Sequence, residues 1–542
     1  MSEKKDKKPK IKEEWIESDG EKYVWEDEEP IISALSCGWT EDGRCGYDNT
    51  PSGMQMCVRP IRGLAREPNQ ASGHLFVCKQ AAAGSRHTSF IMVNSRKERG
   101  QGSKKTKKVG MIGLNQQGLC EEQGYRNITD IPWDLQERPV EIASGAGTAF
   151  ILTKFGNIFS CGIGKFGVLG HGDDISVSAP RQIMTLLKQR IKGISAGQSH
   201  AIAMTYSGRI FTWGRNHKGQ LGLGFASNYD RNNPAHQKRA PSTANGIEVE
   251  VRRNDNQEYY NPEHLACFGE QETCLGVAAG QFHTMALMQI VAKNLITKQV
   301  VYVWGDHTRG QLGMYGFTFL VVAFMGLIIC CAFSGSAEPL YHARPQENRW
   351  LSQLATKLQS STFAGIAAGG GTCLALTGGA GQVISWGAGD YGQLGHGFAW
   401  DDPRYVCRSV ALFCGLLTLP NCNCVPYVLY RPRLIQNLKD IKQISCGMRH
   451  CMALRNTNPG EVFSWGYNGY GELGLGDCNI RLQPTIITGL GRCRPMQVSC
   501  GDRHSVIVVN HKPMLAREGK PKHCHLCFES YRRFRCQFFS TW

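Results

Sequence analysis

Two short motifs alternate along this chain, seven copies of each, and that alternation limits the fold more than any other feature. The first is W-G-x-x-x-x-G-Q-L-G-x-G, which reads Trp213–Gly224. It recurs at Trp304–Gly313, at Trp386–Gly397 and, with Glu472 in the Gln position, at Trp465–Gly476. Cys161–Gly172 is a close variant, and weaker copies lie at Cys37–Asn49 and Gly110–Gly124. The second motif is A-G-x-x-H followed by an apolar run, with its His at His87, His200, His283, His450 and His504. In the two remaining copies Thr148 and Thr372 occupy the His position.

The cleanest copies set the period: Gly145 to Gly197 is 52 residues and Gly447 to Gly501 is 54. Within a copy, the apolar run His200–Met204 is followed by the turn Ser207-Gly208 and a second apolar run, Ile210–Trp213. Apolar strand, tight turn, apolar strand is the pattern of a β-hairpin. A period near 50 built from such hairpins predicts an all-β chain, a seven-bladed β-propeller. Trp213, Trp304, Trp386, Trp465 and the Leu of each Q-L-G are then expected to fill the core between blades. The motif His residues fall one to a blade. They are expected to be structural, bonding backbone within their own blade.

These residues resemble the regulator-of-chromosome-condensation repeat, over roughly Ser36 to Asn510. The resemblance implies a seven-bladed ring closed by strands from both ends of the chain. It implies a protein-interaction scaffold or regulator, with guanine-nucleotide exchange on a Ran-like small GTPase as the alternative. The family also includes a plant UV-B photoreceptor with Trp clustered beside the A-G-x-x-H-like motif. Here the pairs are Gln-Ser, Gln-Phe, Met-Arg and Asp-Arg. Gly162–Gly167 matches G-x-G-x-x-G, but it lies inside a repeat and not in the βαβ unit a dinucleotide needs.

The chain departs from the repeat in blades four, five and six, where the distance from Q-L-G to the next A-G lengthens from 28 residues to 53–59. The blade-four insert, about Ala226–Pro262, is polar and carries Lys238, Arg239, Arg252 and Arg253, the first choice for a partner-binding site. The blade-five insert contains Phe317–Phe333, seventeen residues without a charge, and the blade-six insert contains Val410–Leu419 and Cys422–Tyr430. Three accounts stand for the apolar inserts: intronic sequence read through into the chain, a loop covered by protein, or a membrane segment.

The divisions expected are a charged N-terminal tail over 1–35, the propeller over 36–510 and a basic, Cys-containing tail over 511–542. The net charge of +16 points to an acidic partner. Basic runs stand at Lys4–Lys12 and, between blades one and two, at Arg96–Lys108, so contact with nucleic acid or chromatin is a second expectation. A membrane partner is not expected. Cys524, Cys527 and Cys536 have metal-ligand spacing but form no complete zinc finger, and no cofactor is expected. The 23 Cys are scattered singly, which suggests buried thiols in a reducing compartment, the cytoplasm, with nucleus or cilium as alternatives. No nucleophile, base and orienting residue recur together, so the chain is not expected to be an enzyme.

Overall fold

The computed structural model describes residues 13–16, 22–25, 32–46, 53–61, 64, 76–94, 107–113, 129–130, 137–224, 258–269, 271–291, 297–314, 341–360, 362–397, 428–491 and 493–510. Glu13–Ile16 and Lys22–Trp25 pair as a small antiparallel hairpin. All other strands fall into seven antiparallel sheets of four strands each. The seven-bladed propeller predicted from the repeat is therefore the observed architecture.

Blade 2 is Phe76–Ala83, His87–Asn94, Lys107–Gly113 and Thr129–Asp130, and blade 3 is Pro139–Ser144, Thr148–Thr153, Ile158–Gly162 and Val177–Gln182. Blade 4 is Ile191–Ala196, His200–Thr205, Ile210–Arg215 and Glu258–His264. Blade 5 is Glu272–Ala279, His283–Val291, Thr297–Asp306 and Tyr341–Glu347, followed by a helix over Arg349–Lys357. Blade 6 is Phe363–Ala368, Thr372–Thr377, Val383–Ala388 and Val428–Leu434, and blade 7 is Ile441–Cys446, His450–Arg455, Glu461–Gly466 and Arg481–Ile486. Blade 1 is composite. Its inner strands, Arg494–Cys500 and His504–Asn510, come from late in the chain, and its outer strands, Ala34–Trp39 and Met54–Pro60, from early. Ala34 pairs with Val508 and Gly38 with His504, so the ring closes without a covalent link, as the resemblance implied.

Both motifs build the joints between blades. Trp213, Trp304, Trp386 and Trp465 are completely buried, each in a cluster shared with the preceding blade. Each indole donates to the carbonyl preceding the motif Leu of that earlier blade: Val168, Gln220, Gln311 and Gln393, at 2.8–2.9 Å. Cys37 holds the Trp place in blade 1, and its thiol donates to the Glu472 carbonyl. The motif leucines Leu169, Leu221, Leu312, Leu394 and Leu473 are buried.

The seven A-G glycines form a closed ring around the axis. A Cβ on Gly145 would come within 2.7 Å of the Gly197 carbonyl oxygen, and Gly84, Gly197, Gly280, Gly369, Gly447 and Gly501 meet the next glycine in the same way. Only a residue without a side chain tolerates that approach.

Three expectations need correction. Of the motif histidines, His200, His283, His450 and His504 do not bond backbone within their own blade but reach the next one. His200 Nε2 lies 2.9 Å from Thr284 Oγ1, whose hydroxyl donates to the Gln220 carbonyl at 2.7 Å. Since that hydroxyl has spent its only proton, His200 must donate from Nε2. His450–Ser505–Glu472 and His504–Thr88–Arg44 repeat the relay, and His283 reaches the Cys373 thiol, which donates to the Gln311 carbonyl. The blade-four insert is shorter than read, because Glu258–His264 pairs with Phe211–Arg215 as the outer strand. The basic run Arg96–Lys108 lies within blade 2, between His87–Asn94 and Lys107–Gly113, not between blades one and two.

Of the described cysteines nine are buried, three are half-buried and Cys267 is exposed; all thirteen are free thiols. The stretches Phe317–Phe333, Val410–Leu419 and, of Cys422–Tyr430, the part Cys422–Tyr427 lie outside the described residues, as do Cys524, Cys527 and Cys536, whereas Val428–Tyr430 is not insert but opens the outer strand of blade 6. Among the described residues no group of His, Cys, Asp and Glu could hold a metal ion, and no helix is long and apolar enough to cross a membrane.

Candidate interaction face

First and third strands of every blade end at one face of the ring, where the A-G-x-x-H turn and the W-G-x-x-x-x-G-Q-L-G loop stand side by side. His200 pairs with Gly214 and His450 with Gly466, which fixes this arrangement. The connections over 225–257, 315–340 and 398–427 leave from it as well, so this is the insert face. Lys238, Arg239, Arg252 and Arg253 belong to the first of these connections and lie outside the described residues.

The loops here are stiff because the motif Gln braces them. The Gln220, Gln311 and Gln393 side-chain carbonyls accept from the backbone N–H two residues earlier, at 2.8 Å each. Glu472 does the same for Tyr470 N. As a carboxylic acid in that buried place its pKa is pushed up to about 7, chiefly by desolvation. The braced residue, just before the motif Gly, is Lys218, Arg309, Tyr391 or Tyr470 according to blade. Three arginines, Arg86, Arg449 and Arg503, stand just before a motif His, and all are exposed.

Across blades 6, 7 and 1 these positions meet. The Arg449 guanidinium lies over Tyr391 at 4.9 Å and over Tyr467 at 5.8 Å. Tyr467 packs edge-on to Tyr470 at 5.9 Å, and Arg503 lies over Tyr470 at 4.9 Å and over Trp39 at 6.0 Å. Trp39 and Tyr470 pack edge-on at 4.8 Å. The result is one continuous stack: Tyr391, Arg449, Tyr467, Tyr470, Arg503, Trp39. Arg309 extends it toward blade 5 through an ion pair with Asp390 at 3.3 Å.

A guanidinium stacked on rings keeps its N–H edge free for a carboxylate while losing little freedom on binding. Trp, Tyr and Arg are also the residues that dominate the binding energy of protein interfaces. Nothing in the stack resembles a nucleophile with its base. Sequence reading noted Met-Arg and Asp-Arg at these motifs but missed their role. The signal was there: once the blades are set in register, Arg449 and Arg503 each stand beside an aromatic loop residue of the preceding blade.

Among known proteins, the family model described as RCC1-like domain matches residues 33–507. The human E3 ubiquitin-protein ligase HERC2 is 27% identical over 372 residues, 68% of this chain and 6% of the ligase. The Ultraviolet-B receptor UVR8 of Arabidopsis thaliana is 26% identical over 378 residues, 70% of this chain and 64% of the receptor. The chain therefore spans less than two thirds of either relative. The crystal structure of Prp20p from Saccharomyces cerevisiae, described with its binding properties to Gsp1p and histones, matches with a TM-score of 0.62 at 16% identity. It covers 93% of this chain and 95% of Prp20p, a likeness of fold.

Proposed function

The chain belongs to the RCC1-like domain family, and from that premise we propose that it is a non-catalytic protein-interaction scaffold or regulator that binds acidic protein surfaces through its insert face. The Tyr391–Arg449–Tyr467–Tyr470–Arg503–Trp39 stack carries this reading, because it gathers hot-spot residues from three blades on rigid loops. The connection that carries Lys238, Arg239, Arg252 and Arg253 leaves from the same face, and its positive charge would steer an acidic partner toward the ring. Light sensing is not proposed, since the stack holds tyrosines and one Trp where the resemblance would require clustered Trp.

The test uses the full chain as bait, identifies the captured protein, purifies it and measures its affinity. Arg449→Ala with Arg503→Ala is expected to weaken binding at least tenfold with the melting curve unchanged. Neutralising Lys238, Arg239, Arg252 and Arg253 together is expected to slow association and flatten its salt dependence. Unchanged affinity in the double variant would remove the stack from the interface. A second reading, exchange on a Ran-like GTPase, is favoured by the fold shared with Prp20p, whose description names Gsp1p. Accelerated nucleotide release from such a GTPase by the purified chain would replace the first reading with the second.

A further inference from the structure

The two faces of the ring differ in chemistry. Turns between second and third strands, and the connections from one blade to the next, form the face opposite the inserts. Of the twelve exposed large apolar side chains among the described residues, nine belong to turns, connections or strand ends there. Four cluster on blades 3 and 4: Phe155 is 66% exposed, Met184 64%, Tyr206 56% and Leu187 49%.

Backbone contacts hold this cluster together. Ile191 N donates to the Gly156 carbonyl at 3.0 Å, and Tyr206 N to the Arg190 carbonyl at 2.9 Å. The Arg190 guanidinium covers the Tyr206 ring at 4.6 Å. Met184 and Leu187 share one tight turn in the same connection. The tips stand on turns and connections at this one end of the ring, each largely exposed.

Exposed cations separate the apolar tips: Lys154, Lys188, Arg190 and Lys192. Opposing charge is scarce. Glu137 is engaged by Asn157 at 2.7 Å, and burial pushes the Glu141 carboxyl up to about 7, which weakens its charge near neutrality. Two further basic stretches leave from this face. Asn94 and Lys107 both end there, and 95–106 between them holds five Lys or Arg against one Glu. Asn510 also ends there, and the 32 residues after it hold seven Lys or Arg against two Glu, interleaved with aromatics in Tyr531–Trp542.

We infer that this face docks on an anionic lipid surface, with Phe155, Met184, Leu187 and Tyr206 entering the headgroup layer and the flanking cations meeting lipid phosphates and carboxylates. Exposed apolar tips separated by Lys and Arg at one end of the fold have the composition of interfacial membrane binders, and the cations complement the charge of an anionic lipid surface. Only a membrane span and a membrane partner in general were weighed from the sequence; the surface contact arises from the fold, which brings three separated segments to one end. The inference does not depend on the insert face.

Co-sedimentation of the full chain with phosphatidylcholine vesicles, with and without 30% phosphatidylserine (a proportion of order set by natural anionic leaflets), tests it. Binding is expected only to the anionic vesicles and to fall as salt rises. Phe155→Ser with Leu187→Ser should reduce it at least tenfold, as should Lys154→Glu with Lys188→Glu, each with an unchanged melting curve and unchanged partner binding at the insert face. Equal binding to both vesicle types would overturn the inference. So would full retention by the Phe155→Ser/Leu187→Ser chain, which would reduce the face to a charge-only contact of the kind a nucleic acid makes. Loss on Arg532→Glu/Arg533→Glu/Arg535→Glu with no effect of the two patch variants would assign binding to the tail and overturn it too.

Discussion

The joints on either side of blade 2 are built differently. Between blades 1 and 2, His504 meets Thr88 at 2.8 Å, Thr88 donates to the Arg44 carbonyl, and Gln497 both donates to and accepts from the Ala81 backbone. Ser499 accepts from Ala83 N as well. Between blades 2 and 3 the position that should answer His87 is Ala149, which has no acceptor, and His87 Nε2 is buried without a partner. One joint further, Thr148 faces Ala201 and the relay is missing altogether. The 7–1 joint again has the full set, with His450 on Ser505 and Gln443 bridging to Val498. Both joints of the composite blade are fully stapled, as is the 4–5 joint, where His200 meets Thr284 and Ser195 accepts from Ala279 N. The chain crosses every joint of the ring, and the closure held by contacts alone lies within blade 1, between Ala34–Trp39 and His504–Asn510.

Acid should expose this contrast most strongly. Burial depresses His87, His283 and His450 to about 4 and His200 to about 3, and lowers His504 well below its usual 6.5. The folded ring thus binds protons less readily than the unfolded chain. Stability from these groups is fully present above about pH 6.5 and is lost as pH falls toward 4. At pH 5 each histidine should have cost about 2 kcal/mol. Hydrogen exchange at pH 5 should show His504–Asn510 opening before Thr148–Thr153; the reverse order would break the comparison. Next in size, Leu473→Ala at the 7–1 joint should cost about 2–5 kcal/mol in denaturant unfolding. A loss under about 0.5 kcal/mol would place that Leu outside the core.

Glu472 shows the opposite pH dependence. Its folded pKa is raised to about 7, so its contribution is greatest below about 4.5 and is lost as pH rises through 7. Glu472→Gln, which restores the motif, should stabilise the ring by about 1–3 kcal/mol at pH 8 and change little at pH 4.5. Equal effects at both pH values would show that desolvation of the carboxylate is not the cause. The smallest change sharpens the comparison at its weak side. Ala149→Ser places on blade 3 the group that Ser505 offers His450, and should add about 0.5–1.5 kcal/mol. A destabilised variant would mean that the second joint has no room for the hydroxyl.

Much of this was legible before the structure. The Trp and Leu positions and the blade count follow from the repeat, because each copy carries its own hairpin and its own core residues, and the closure is what the family resemblance implied. What was hidden depends on register between blades. Where a motif His has an acceptor, it is one residue past the motif His or Thr of the next copy, 55–90 positions away or, across the ring closure, 416, and it is Thr, Ser or Cys with no shared letter to mark it. Arg449 and Arg503 were visible as letters, but their ring partners belong to loops of adjacent blades. The preferred site on the blade-four connection was chosen for its length, its anchoring at both ends and its charge, and it lies outside the described residues.

The composite blade also sets a schedule for synthesis. Ala34–Trp39 is among the first strands of the ring to leave the ribosome, yet its inner partner, His504–Asn510, comes some 470 residues later. At roughly 5–20 residues per second that is about 25–95 s during which the first blade lacks half its strands. Its apolar edge, with Leu35 and Cys37, must wait uncovered or be sheltered by chaperones until translation is nearly over. A ribosome that stalls anywhere before the last blade leaves a chain that cannot close, so this protein's yield in a cell should depend on the smoothness of its late translation more than on any single contact.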